Sequence, residues 1–215
     1  MSKPLDDFLP KVLLEAPTCP EYLALDAIRT VCIDFCARTN IWQYDVPAVS
    51  VVAGTHTYPL TPASETVIAG ITEVRFAGLA DAVPPVTRQW LSDNVAEWKT
   101  RQDRYPIAYM VPAVGSIRLI GIPTESVANG LDVAVALKPS QAAVNVDDIL
   151  YNDYLDDIAR GALAKLLAMK SKDWADPVLS EEYQRRYELA RGNAEIKTQK
   201  GHTRMTQSVR PRALA

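Results

Sequence analysis

Helical periodicity at both ends of the chain, with β patterning between them, is the constraint that most narrows the fold. Near the start, Leu5, Phe8, Leu9, Val12 and Leu13 repeat at helical spacing, and Pro10 stands where a first turn tolerates it. Thr18-Cys19-Pro20-Glu21 has the form of a capping box with a proline at the helix start. Behind it, Leu25, Ile28, Cys32, Phe35 and Cys36 form one apolar face, which should end between Asn40 and Trp42. Asp34 and Arg38 are spaced for an i,i+4 ion pair on the same helix.

Helix returns at Asn145, a candidate cap, with Asp147 and Asp148 at the positive end of the helix dipole. Ile149, Leu150, Tyr154, Leu155, Ile158, Ala162, Leu166 and Met169 carry the apolar repeat onward. Gly161 inside this run costs about 1 kcal/mol against alanine, which predicts close packing by another helix. Asp176-Pro177 or Ser180 opens a last helix with Tyr183, Tyr187, Ala190 and Ala194 on one face and a Glu182–Arg186 pair on another.

The middle of the chain has a different period. Ala48 to Val52 is β-rich, Gly54 marks a turn, and Thr57 to Leu60 reads as the return strand of a hairpin. Thr66 to Phe76, Ile107 to Val111, Ser116 to Ile120 and Leu131 to Leu137 are further strands, punctuated by Gly78, Gly115, Gly121 and Asn129-Gly130. Leu131, Val133, Val135 and Leu137 alternate as a half-buried strand should. Trp90 to Trp98 reads as a short helix with Leu91, Val95 and Trp98 on one side.

The expected fold class is therefore α+β: a discontinuous four-helix bundle from 1–44 plus 146–196, an inserted β-rich module at 45–145 with a short helix near 89–99, and a flexible basic arm at 197–215. The first helix pair needs the second to bury its apolar faces. A length of 215 residues with 48% hydrophobic and 23% charged content allows a real core without disulfide staples.

Charge is distributed unevenly. After Glu195 no acidic residue remains, and Lys197, Lys200, Arg204, Arg210 and Arg212 supply five cations. The chain totals −3, so the rest of it stands at −8. That acidity argues against binding nucleic acid over the whole surface. A polar, basic segment cannot bury enough apolar surface to fold alone and is expected to order on something else.

Candidate chemistry is sparse. His56 falls at a turn and His202 in the arm, neither beside a nucleophile or carboxylate in a local motif. Cys32 and Cys36 share an apolar face and read as core residues, and with Cys19 they make three cysteines, an odd count that points to a reducing compartment. Asp153, Asp156 and Asp157 lie on one helix face, as cation ligands could, or as a solvated face or subunit contact. No glycine-rich phosphate loop, nucleophile elbow or HExxH pattern occurs, so no catalytic residue, metal or cofactor is expected. No secretion signal is read at the start, and no apolar run reaches the ~20 residues that span a bilayer, so no membrane partner is expected. Core or domain-junction packing is the first reading of all four tryptophans, Trp42, Trp90, Trp98 and Trp174, and Trp42 and Trp174, at helix ends, are the candidate contact residues among them.

The order of these features resembles the head-to-tail adaptor (connector, or neck) proteins of tailed bacteriophages. Leu5-Asp6-Asp7-Phe8-Leu9-Pro10, then Pro20 to Arg29, then Phe35-Cys36 through Trp42 look like the first helical segment of that family. Val49 to Leu60 looks like its first hairpin, with Val67, Val74, Phe76 and Gly78-Leu79 next. Pro106, Tyr109, Ile117, Leu119, Pro123, Val133, Val135, Leu137 and Pro139 follow the rest of the module, and the helix from Asp147 and the tail complete it. The resemblance implies a virion protein of the neck, assembled in the host cytoplasm, that forms a dodecameric ring with copies of itself under the portal protein. It also implies a DNA channel without specific DNA binding, a further contact to the tail or a second neck protein, and no catalytic residues.

On that reading the arm docks on the portal: Arg204, Arg210 and Arg212 meet acidic or carbonyl-rich crevices with Lys197 and Lys200, and Met205, Val209 and Leu214 act as small apolar anchors. Asp153, Asp156, Asp157, Trp42 and Trp174 are the candidate subunit contacts. The alternative is a nucleic-acid-binding module whose arm neutralises phosphate with a measurable salt slope. The arm has no aromatic residue to stack on bases, which counts against it.

Overall fold

A computed structural model describes residues 2–201. The chain is mixed α+β. In order it forms β1 (Ser2–Pro4), a 3-10 turn (Leu5–Phe8), α1 (Leu9–Leu13), α2 (Glu21–Thr39), β2 (Gln43–Val51), β3 (Thr57–Pro59), β4 (Thr66–Phe76) and α3 (Arg88–Asn94). Then come β5 (Gln102–Asp103), β6 (Ala108–Met110), β7 (Ser116–Ile120), β8 (Ile122–Pro123), β9 (Val127–Pro139), β10 (Asn145–Asp147), α4 (Asp148–Leu167) and α5 (Pro177–Gln199). Two compact units result, one from 2–41 with 145–201 and one from Trp42–Val144.

In the first unit α2, α4 and α5 pack on one another, and the short α1 leans on α2 and α4. Ala24, Ala27, Ile28, Val31, Cys32, Phe35 and Cys36 form the buried face of α2. Its C-terminus is closed by Asn40 in the left-handed region (φ 51°), a conformation asparagine tolerates. The capping box expected at Thr18 is not used: α2 begins at Glu21 behind Pro20, with no side-chain cap. Pro20 sets an extended entry and the turn at Ala16–Cys19 consumes the preceding residues.

Asn145 is likewise not the cap of α4. It lies in β10, which pairs antiparallel with β1, and Asp147 caps instead by accepting from the Ile149 N–H at 3.0 Å. The β-branched Val146, fully buried, favours a strand there. At α5, Asp176 accepts from the Leu179 N–H at 3.0 Å and Pro177 follows. Gly161 faces the Tyr187 ring and Val31, as the sequence predicts.

In the second unit β9 is the centre of a three-stranded antiparallel sheet, β2-β9-β4. Leu131, Val133, Val135 and Leu137 are at most 3% exposed, and they meet Val46, Val74, Phe76, Ile117 and Leu119 in the core. A second sheet, β3-β7-β6, supplies Tyr58, Tyr109, Ile117 and Leu119 to the same core. The hairpin expected between residues 48 and 60 does not form: β2 pairs with β9 and β3 with β7. The Tyr58 hydroxyl donates to the Thr55 carbonyl at 2.8 Å, so the connection folds onto its own tyrosine instead of closing a ladder. Asn129-Gly130 is not a turn but a distortion inside β9, with Asn129 at φ 50°. The helix expected near 89–99 stops at Asn94, though Leu91 and Trp98 still share a buried cluster, where they meet Ile120.

Candidate functional site

The three aspartates of α4 do not stand together as a free carboxylate cluster. Asp153 receives Lys197 Nζ at 3.1 Å, Asp156 pairs with Lys11 at 2.9 Å, and Asp157 pairs with Arg160 at 2.8 Å. Each carboxylate is thus already matched by a cation of its own unit. Partial burial raises the Asp157 carboxyl above its ordinary value, and Arg160 opposes that without cancelling it. Among the described residues no group of three or more His, Cys, Asp or Glu side chains could hold a metal ion. Nor is any described helix long and apolar enough to cross a membrane.

These pairs border a groove of about 740 Å³ between α4 and α5, lined in part by Asp153, Tyr154, Asp157, Arg160, Leu189 and Lys197. Tyr154 is 7% exposed, and its hydroxyl has no hydrogen bond of normal geometry. Burial raises that hydroxyl, while the Lys197 ammonium, 5.6 Å from the ring centroid, works the other way.

Lys197 therefore belongs to the helical unit. The arm boundary drawn at residue 197 falls inside α5, which runs on to Gln199, and Thr198 is buried there with its hydroxyl donating to Ala194 O at 3.0 Å. The helix closes at Lys200, whose N–H reaches the Ile196 and Thr198 carbonyls, and Gly201 follows at φ 59°. The physical reason is the α4 carboxylate opposite Lys197, a long-range partner that a one-dimensional reading of the tail does not contain. His202, Arg204, Met205, Val209, Arg210, Arg212 and Leu214 lie outside the described residues.

Trp42 is partly buried against the core of the β unit, and its carbonyl accepts from the Leu137 N–H at 2.8 Å. Trp174 lies between α4 and α5, with its indole N–H buried and unpartnered and the Lys172 ammonium 5.9 Å from the ring centroid. Cys32 and Cys36 are fully buried; burial pushes the Cys32 thiol up to about 12 and Cys36 well above its ordinary value. His56 hydrogen-bonds Thr57 at 2.7 Å through its ring, and burial followed by the Arg118 charge pulls its pKa down.

Two polar centres escape sequence reading. Asp34 accepts from Arg38 at 2.8 Å as its spacing predicts, but also from Tyr187 and Arg191, each at 3.0 Å. Burial works to raise this carboxyl, and the hydrogen bonds from Arg38, Tyr187 and Arg191 outweigh it and hold it below the usual range. The second centre is Arg118, stacked 5.1 Å from the Trp98 centroid. Its one sequence signal is a cation at a polar position of an alternating strand.

Acid pairs and a tyrosine–carboxylate bond tie the elements of the helical unit together. Comparison with protein-family models and with curated proteins gives no match to the chain.

Proposed function

We propose that the protein is a head-to-tail adaptor of a tailed bacteriophage: a structural, non-catalytic virion protein of the neck that forms a ring under the portal. In this reading the fold is a discontinuous four-helix bundle, with α1 as the short member, carrying an inserted β-rich module and an extended C-terminal arm. Copies of the chain assemble in the host cytoplasm into a ring, dodecameric by the resemblance, that continues the DNA channel and offers its far face to the tail or a second neck protein.

The observation that carries the reading is the way α5 ends. A 23-residue helix, pinned to α4 through Lys197 and Asp153, terminates at a left-handed glycine. The sequence beyond Gly201 has three arginines, Arg204, Arg210 and Arg212, and no acid. A cationic segment launched from a fixed helix suits docking into an acidic or carbonyl-rich crevice of a ring-shaped partner. Multiple copies add avidity without tight single contacts. Cations at the C-terminal end of a helix are also favoured by its dipole, which suits Lys197 and Lys200 at the end of α5.

The test is size-exclusion chromatography with light scattering of the full chain mixed with a portal ring. Co-elution lost on removing residues 202–215 supports the docking arm. Undiminished portal binding by the truncated chain overturns it. Salt-dependent DNA binding that vanishes with the same truncation would favour the nucleic-acid reading of the arm.

A further inference from the structure

Arg118 is a cation without a carboxylate, on the outward face of β7. Most arginines described here have an acid within ion-pair distance, including Arg38, Arg75, Arg101, Arg104, Arg160, Arg186 and Arg191. Arg118 forms no such ion pair among the described residues. Its guanidinium is 5.1 Å from the Trp98 ring centroid, and its Nη2 donates to the Lys99 carbonyl at 3.2 Å. Its Nε is buried without an acceptor.

The neighbours add charge of the same sign. The Lys99 ammonium is 5.7 Å from the centroid of the same Trp98 ring, and Lys99 too has no ion-pair partner among the described residues. In the register of the sheet Arg118 is opposite Thr57, whose hydroxyl bonds the His56 ring. His56 feels the Arg118 charge directly, since that charge joins burial in lowering its pKa. Trp98 is only 7% exposed, so it serves as a platform that fixes the guanidinium and not as a face for a base.

Both cations stand over the same buried ring, 5.1 Å and 5.7 Å from its centroid, and neither has an acid within ion-pair distance among the described residues. A guanidinium oriented by stacking loses little further entropy when it binds an oxyanion, which its remaining donors match in shape. We propose that Arg118 and Lys99, with the His56–Thr57 pair beside them, form an oxyanion site on the β unit that takes a phosphate group. The same chemistry is offered by free phosphate and by the phosphodiester of a nucleic-acid backbone. The site is independent of the arm and of the adaptor reading.

The experiment is an NMR titration of the isotopically labelled full chain, following the Arg118 Nε–H and Trp98 indole resonances. Inorganic phosphate is one probe and a short single-stranded oligonucleotide is the other, with sodium chloride at matched ionic strength as control. The expected result is a saturable shift of both resonances with phosphate that chloride does not reproduce. Arg118→Gln should weaken phosphate binding about tenfold, and Lys99→Ala, at an exposed position, should weaken it severalfold with the spectrum otherwise intact. Tighter saturation by the oligonucleotide, with a steeper salt dependence, assigns the phosphate to a nucleic-acid backbone; saturation by inorganic phosphate alone assigns it to a small ligand. Shifts equal to those of chloride, or unchanged affinity in both variants, overturn the proposal. Portal binding by the same variants is a separate readout, so failure here leaves the adaptor reading intact.

Discussion

Tyr187 packs so closely on Gly161 that a methyl group at residue 161 would lie 2.8 Å from the ring Cδ2, and also 2.8 Å from Val31 Cγ1. The ring cannot swing aside cheaply, because its hydroxyl is tied to Asp34 at 3.0 Å. Alanine gains about 1 kcal/mol in helix propensity over glycine, while overpacking costs about 1–3 kcal/mol. Gly161→Ala should therefore lower stability by about 1 kcal/mol. Gly192→Ala, on α5 with nothing within 4 Å of the added carbon, should raise it by up to about 1 kcal/mol. Urea unfolding followed at 222 nm checks the pair; a Gly161→Ala protein more stable than the native chain would refute the packing argument.

What the sequence reveals about this contact, and what it hides, follows from range. A glycine inside a long apolar repeat announces a close approach, because its local cost needs a tertiary reason. The identity of the approaching residue is not local: Tyr187 reaches back to Asp34 across 153 positions. The same division runs through the molecule. The alternation of Leu131 to Leu137 is a local pattern and marks the central strand. The partners of β2 and β3 are set by burial of Val46, Val51 and Tyr58 in different sheets, which no turn signal at Gly54 encodes. Lys197 reads as part of a tail until Asp153 is seen opposite it, and Arg118 reads as an ordinary strand cation until Trp98 is seen beneath it. Helices, strands, core faces and the i,i+4 pairs Asp34–Arg38 and Glu182–Arg186 are legible; long-range ion-pair partners and strand pairing are not.

Asp34 should give the helical unit an acid-sensitive component of stability. Its carboxyl is held below the usual range, so the folded state releases its proton more readily than the unfolded chain does. The contribution is present above the unfolded value of about 3.9 and is lost as pH falls through the lower folded value. At pH 7, Asp34→Asn should cost about 1 kcal/mol, a figure kept small because the carboxylate is one-third exposed. The gap between native and variant proteins should close below about pH 4. Denaturant melts across pH 2–8 measure it, and a gap that widens in acid would contradict the assignment.

Asp147 carries the opposite sign. Burial raises its carboxyl, and Asp148 adds to this, although the Ile149 N–H it caps pulls the other way. A raised folded value means that ionisation above it costs stability and that acid relieves the cost. Asparagine keeps the cap and removes the charge, so Asp147→Asn should match or exceed the native stability at pH 7. Asp147→Ala should lose about 1 kcal/mol, the worth of an N-cap. If the asparagine variant proves as unstable as the alanine one at pH 7, burial is not what limits this carboxylate.

The buried thiols should be chemically silent while the chain is folded. Cys32, pushed up to about 12 by burial, and Cys36, raised well above its ordinary value by burial, have almost no thiolate at pH 8, and both are 0% exposed. A thiol-reactive chromogen should label them only on the timescale of unfolding, and all three cysteines, Cys19 included, should react at once in denaturant. Rapid labelling of either α2 cysteine in native buffer would mean that α2 opens locally from α4 and α5.

The last turn of α5 is tied to the helical unit by two contacts. Lys197 bonds Asp153 at 3.1 Å, and Thr198 is buried with its hydroxyl on Ala194 O at 3.0 Å. Two truncated chains, one ending at Gly201 and one at Ile196, differ by these contacts and by the last helical turn. The exposed ion pair is worth less than about 1 kcal/mol, and the buried threonine with its turn adds a similar amount. The chain ending at Gly201 should therefore be more stable by about 1 kcal/mol, with the difference reduced at high salt as Lys197–Asp153 is screened. Restoring Lys197 and Thr198 alone should recover part of it. Equal stability of the two truncations would mean that neither contact holds the last turn of α5.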